Sequence, residues 1–228
     1  EEAGEPLLAA RWHRRAAAWV GRSDPLQAVR HMQRVLAVTE DLDESPERDA
    51  LRLESCGSLL GQGGWRIGLS LDEAEAIFAE GRRLADLRRD TDTAIALCIG
   101  YGATNGFRGN PRRYNELTRT AVDLIDDRTS AGAAAAAHSP GFGYSSYCLG
   151  QIEQALEHVR IGLRLAEGDP DAGMATVGFS VWGQALQNEA EFTGALGRLA
   201  EADRLARHSI ALCRQHDMVE ALGWSLAI

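Results

Sequence analysis

Residues Tyr147 to Pro170 read YCLGQIEQALEHVRIGLRLAEGDP, and their spacing decides how the chain folds. Leu149-Gly150 closes one helix. A second runs from about Gln151 to Glu167 and stops at Gly168-Asp169-Pro170, where proline cannot continue the ladder. Within it Ala155, Val159 and Gly162 fall four and then three apart, which is one helical face. A glycine five residues before an alanine, with small or apolar residues at +4 and +7, is the second half of a helical hairpin.

The same phrase recurs. Ala28, Ala74, Tyr114, Ala155 and Ala202 stand in register at intervals of 46, 40, 41 and 47 residues. Twelve positions before each lie Ala16, Gly102, Gly143 and Ala190, all small, with Gln62 breaking the rule in the second repeat. Two antiparallel helices can cross closely only where both sides are small. Tetratricopeptide repeats run at about 34 residues and longer-helix relatives at about 40 or more. The expected fold is all-α: a right-handed α-solenoid of about five tetratricopeptide-like helix pairs plus a truncated final helix, one domain over residues 1–228. No single pair can bury its apolar face, so the stack makes the core collectively.

Outward from this stretch the helices follow in order. Residues 7–20 form the first, with Trp12, Ala16 and Trp19 on one face. Asp24 caps the second and Pro25 takes its first position, giving a face of Ala28, Met32 and Val35. Ser45-Pro46 opens the third, which runs to about Leu60. Ser70 and Glu73 make a capping box for the fourth, which carries Ala74, Phe78 and Gly81. Helix five centres on Ile95–Asn105. Asn110-Pro111 opens helix six, with Tyr114, Thr118 and Ala121 on its face. Pro140 resets or kinks the helix over 131–149. A ninth helix is expected from Asp171 to about Phe192, holding Phe179, Trp182 and Leu186, and Gly197 precedes the next, with Ala202, Ala206 and Ser209.

Composition excludes much. The formal net charge is −9, which repels nucleic acid unless a basic face exists, and the arginine clusters are short. All 24 basic residues are arginine, so no Walker lysine, Schiff base or pyridoxal-phosphate anchor is possible. No run reaches the ~18 apolar residues of a membrane span. The first residues lack the basic and apolar regions of a signal peptide, so a cytoplasmic location is expected. Cys56, Cys98, Cys148 and Cys213 are far apart and read as buried reduced thiols.

Candidate chemistry is sparse. Gly61–Gly68, GQGGWRIG, lacks the Lys-Ser/Thr of a phosphate loop and reads as an inter-helix loop that carries Trp65 back onto the core. Glu189 with Glu191, and Glu73 with Glu75, do not share a face at a spacing of two. Ser139 beside His138 is adjacency without triad geometry. Cys213, His216 and His208 lack the ligands for a metal site. No cofactor is expected and no catalytic residue emerges. In stacked pairs the first helices line a concave groove, and the residues beside their crossing positions face it. These are His13, Arg14, Asn105, Tyr144, Tyr147, Gln184, Gln187, Asn188 and Glu191, a set that suits peptides or small polar ligands.

Gly68-Leu69-Ser70-Leu71-Asp72-Glu73-Ala74-Glu75-Ala76-Ile77-Phe78-Ala79-Glu80-Gly81-Arg82, and Gly178-Phe179-Ser180 followed by Trp182, add a resemblance. They resemble the tetratricopeptide-like C-terminal region of bacterial class III adenylate/guanylate cyclases that also carry a STAND/AAA-type ATPase. The resemblance covers about residues 11–227, and similar repeats occur in MalT-like and LuxR-type regulators. It implies a non-catalytic regulatory region. The cyclase metal-binding aspartates and the ATPase P-loop have no counterpart here. The chain has no initiator Met, and Ala227-Ile228 stop inside a helix, as expected of a piece of a larger multidomain protein.

The expected function is therefore protein–protein interaction or regulation within a signalling protein. The expected partner is a protein or peptide, which includes other domains of the same chain. No nucleic acid or membrane is expected. The uncapped C-terminal helix offers a surface for homo-oligomers. The alternative is a small-ligand sensor domain of a MalT-like or LuxR-type regulator.

Overall fold

The computed structural model describes residues 4–21, 23–63 and 68–228, and among them every regular element is helical. Helix α1 spans Pro6–Val20, α2 Pro25–Val38, α3 Pro46–Gly57, α4 Leu71–Arg88, α5 Thr91–Phe107 and α6 Pro111–Asp123. Then follow α7 Ala131–Ala136, α8 Tyr144–Cys148, α9 Ile152–Ala166, α10 Met174–Val177, α11 Val181–Ala195, α12 Leu199–Gln215 and α13 Val219–Ser225. Two π-helical stretches, Ser58–Gly63 and Ala137–Gly143, prolong α3 and join α7 to α8. The hairpins α1/α2, α3/α4, α5/α6, α7–α8/α9 and α11/α12 stack side by side, and α13 packs on the last of them.

The helix starts follow from local chemistry. Asp24, Ser45, Ser70, Asp90, Asn110, Ser130 and Ser180 each accept a hydrogen bond from the backbone N–H three residues on. Each such cap is worth about 1 kcal/mol because it satisfies a donor the helix cannot. At Ser70 the bond is reciprocal, since the Glu73 carboxylate accepts from the Ser70 N–H at 2.9 Å.

The repeat register holds in three dimensions. Ala28, Ala74, Tyr114, Ala155 and Ala202 are each the fourth residue of the second helix of their pair. Each donates its N–H to the carbonyl of its own cap residue, Asp24, Ser70, Asn110, Gln151 or Arg198, at 2.9 to 3.2 Å. The facing helix is small wherever the backbones close in. A Cβ on Gly143 would lie 3.1 Å from Val159 Cγ2 and 3.2 Å from the Ala155 carbonyl, and one on Gly194 3.4 Å from the Ala202 Cβ. The second repeat does not show its counterpart, because the side chain at 62 lies outside the described residues. So does Trp65, with the rest of 64–67.

Five expectations need correction. The last helix does not run on through Ala227-Ile228: it ends at Ser225, with Leu226 as its cap. Trp12 and Trp19 do not face the core: they are 59% and 84% exposed, and Ala10 and Ala17 are buried instead. Indoles are too large for a close crossing, so alanines take it. The helix expected from Asp171 to Phe192 is two helices, because Gly173 and Gly178 adopt left-handed φ of 77° and 78° around the single turn α10. Cys148 is exposed while the other three thiols are buried. Helix three ends as α-helix at Gly57, and its last turns widen to π.

Pro140 does reset its helix, by a wide turn. With no N–H at 140, and no room for its ring against the preceding turn, the ladder absorbs the extra backbone as a π-helix over Ala137–Gly143. The other π-helix is seated by Gly100, where a Cβ would lie 2.2 Å from the Leu60 carbonyl oxygen. Both wide turns flank the same internal space.

Candidate functional site

A cavity of about 410 Å³ opens among the first helices of successive pairs. One wall is α11. Gln184, Gln187, Asn188 and Glu191 succeed one another at +3, +1 and +3 along it and all line the space. This is one face of a helix with 3.6 residues per turn. The opposite walls are apolar: Ile99 and Phe107 on α5, Tyr114 on α6, and Pro140 with Tyr144 across the second π-helix. Val177 and Phe179 come from the turn around α10, and Trp224 from α13. Phe179 meets Trp224 edge to face, with ring centres 5.2 Å apart.

The polar groups divide sharply between satisfied and unsatisfied. The Tyr114 hydroxyl donates to the Pro140 carbonyl at 2.8 Å, so it is spent on the fold. Gln187 Nε2 donates to the Glu191 carboxylate at 2.7 Å. Asn188 is only 1% exposed, yet neither its Oδ1 nor its Nδ2 has a partner among the described residues. Gln184 Oε1 is unpartnered in the same way. A buried polar atom left unpaired costs about 1–3 kcal/mol, so this wall holds unsatisfied hydrogen-bonding capacity.

Charge is equally one-sided. Among the described residues that line the space, Glu191 is the one carboxylate side chain, and none is arginine or histidine. Burial, then Cys148 and Glu191, push the Tyr144 hydroxyl up to about 12. Burial, then Glu191, also raises Tyr147 and Cys148. Tyr144 therefore stays a neutral phenol.

Of the residues expected in the groove, Tyr144, Gln184, Gln187, Asn188 and Glu191 meet at this cavity. Tyr147 borders the cavity, close enough to Glu191 to be raised by that carboxylate, and the rest lie elsewhere. Tyr147 stacks on Phe192 at 4.2 Å. Asn105 is buried and donates to the Tyr101 carbonyl at 2.9 Å, closing its own helix. Arg14 pairs with Glu54 at 3.4 Å, and His13 Nδ1 lies 3.0 Å from His31 Nδ1, both in the first pairs of the stack. Phe107, Tyr114, Pro140, Val177, Phe179 and Trp224 line the cavity without having been expected there. Phe179 had a legible signal in the Gly178 that precedes it.

Among the described residues the candidate reactive groups do not come together. Ser139 Oγ has no hydrogen-bond partner among them, and His138 Nδ1 instead meets His158 Nδ1 at 2.9 Å. Cys213 is buried, and His216 packs edge to face on Trp182 at 5.2 Å. Among the described residues no cluster of three metal-ligating side chains occurs.

No family model matches the chain, and no curated protein is significantly similar to it. Solved structures are similar in fold. A Podosopora anserina chain described as putative kinesin light chain nearly identical TPR-like repeats superposes with a TM-score of 0.59 at 15% identity, covering 93% of this chain and 98% of that one. A variant form of that protein superposes with a TM-score of 0.61 at 14% identity, covering 93% and 97%. At this identity the likeness defines the class of fold: an α-solenoid of tetratricopeptide-like repeats.

Proposed function

We propose that the chain is a non-catalytic recognition module that presents the first-helix face of its repeats to a peptide segment of a protein partner. The observation that carries this reading is the α11 stripe of Gln184, Gln187, Asn188 and Glu191, set opposite apolar walls. Amides over an apolar floor suit a main chain with apolar side chains. The net charge of −9 disfavours nucleic acid. Among the described residues no helix is long and apolar enough to cross a membrane. The stretches Gly68–Arg82 and Gly178–Trp182 support placing the module as a regulatory region of a larger signalling protein that resembles the cyclases described above.

Selection from a random peptide display library, followed by hydrogen exchange on the complex, tests this. Protection should concentrate in α11 and around Tyr144. Protection confined to the second helices α6, α9 and α12 would refute it.

A second reading, a small-ligand sensor, is favoured by the shape of the site. A cavity of about 410 Å³ falls within the range typical of small-molecule pockets. A broad metabolite screen by thermal shift tests it, since a bound ligand raises the melting temperature by mass action.

A further inference from the structure

We infer that the cavity between α5 and α11 binds a small organic ammonium compound, a cationic nitrogen on an apolar body. The inference rests on the ligand-sensing reading and names the ligand class.

Three observations converge. The first is charge: Glu191 contributes a carboxylate, and among the described residues neither arginine nor histidine lines the space. An anionic ligand would be repelled by Glu191. The second is the inventory of unpaired groups. Gln184 Oε1 and Asn188 Oδ1 are buried acceptors without donors among the described residues. Together with the Glu191 carboxylate they form an acceptor-rich wall, and an ammonium brings up to three N–H donors. A purely apolar ligand would leave those atoms unsatisfied and strip water from the carboxylate. An oxygen on the ligand body would also satisfy Asn188 Nδ2. The third is the opposing surface. Phe179, Trp224 and Tyr144 present rings to the same space. Aromatic faces attract cations and receive apolar bodies.

The test is calorimetry and thermal shift with a near-isosteric series: 2-phenylethylamine, 2-amino-1-phenylethanol, 2-phenylethanol and 3-phenylpropionate. The amines should bind about tenfold or more tighter than the alcohol, as a charge-assisted hydrogen bond in a half-buried site implies, and the propionate should not bind. Glu191→Gln keeps the shape and removes the charge. It should erase the preference for amines. Circular dichroism confirms that the variant is folded, and Gln184→Leu gives an independent loss of amine affinity. Several results overturn the inference: binding of the alcohol as tight as that of the amines, binding of the propionate, unchanged amine affinity in Glu191→Gln, or a silent series. Binding of a lysine-bearing peptide but no free amine also overturns it and assigns the cavity to a protein partner. A hit for neutral compounds in the metabolite screen, with no preference for amines, overturns this inference while the sensing reading stands.

Discussion

A Cβ on Gly102 would lie 2.8 Å from Cδ2 of Tyr114, so the third repeat has exchanged sizes at its crossing. The large residue sits on the second helix and the glycine on the first. The two should be coupled. Gly102→Ala is expected to cost about 1–3 kcal/mol by overpacking, against the gain in helix propensity. Tyr114→Ala should cost about 3–5 kcal/mol through its cavity and the lost bond to Pro140. The double variant should lose clearly less than the sum, as urea denaturation would show; additivity would contradict the contact.

Asn188→Leu should leave the protein as stable or more stable, by about 1–3 kcal/mol. The substitution removes two buried atoms that lack partners and keeps a similar volume. The same variant should weaken ligand binding at the cavity, the usual opposition between stability and function at a site. A melting temperature that falls by several degrees would show that Asn188 is satisfied after all.

Arg52 is a clamp between hairpins. Its Nη2 donates to the Glu80 carboxylate at 2.7 Å, and its Nη1 donates to the Leu36 carbonyl at 2.8 Å and to Thr39 Oγ1 at 2.9 Å. The residue is only 7% exposed. Glu80→Ala strands a buried guanidinium and should cost about 3 kcal/mol. Breaking a surface pair such as Arg207–Asp203 should cost far less, because water screens both charges. Comparison of urea midpoints for Glu80→Ala and Asp203→Ala checks the contrast.

Stability should fall as the pH drops from about 6.5 towards 4. Burial, and then the neighbouring His158, hold His138 down to about 4, and burial lowers His158 as well. An unfolded histidine titrates near 6.5. Between those values the unfolded chain binds a proton that the folded one refuses, so acid favours unfolding. The contribution is fully present above the unfolded value and lost below it. The urea midpoint should be lower at about pH 5 than at about pH 7.5, and His138→Asn should remove much of that difference. An unchanged midpoint in the parent protein would contradict the half-buried pair.

The capping residues were legible because a cap acts within three residues of itself. Asp24, Ser45, Ser70 and Asn110 hold their helix starts by bonds that no distant residue decides. The α11 stripe was legible for a similar reason: a period of 3.6 places Gln184, Gln187, Asn188 and Glu191 on one line. Phe107 and Trp224 were not legible as neighbours of that stripe. They reach it from α5 and α13, and which rings meet depends on how hairpins far apart in sequence are rotated against one another.

A stack of helical hairpins is already written in the order of residues, because small residues recurring at one register admit close crossings and little else. Where the stack opens into a cavity follows from packing alone. That outcome depends on a proline with no N–H at 140, on Gly100 beneath the Leu60 carbonyl, and on left-handed glycines at 173 and 178. Each changes the backbone path by a fraction of a turn, and only packing against the neighbouring repeat selects which fraction.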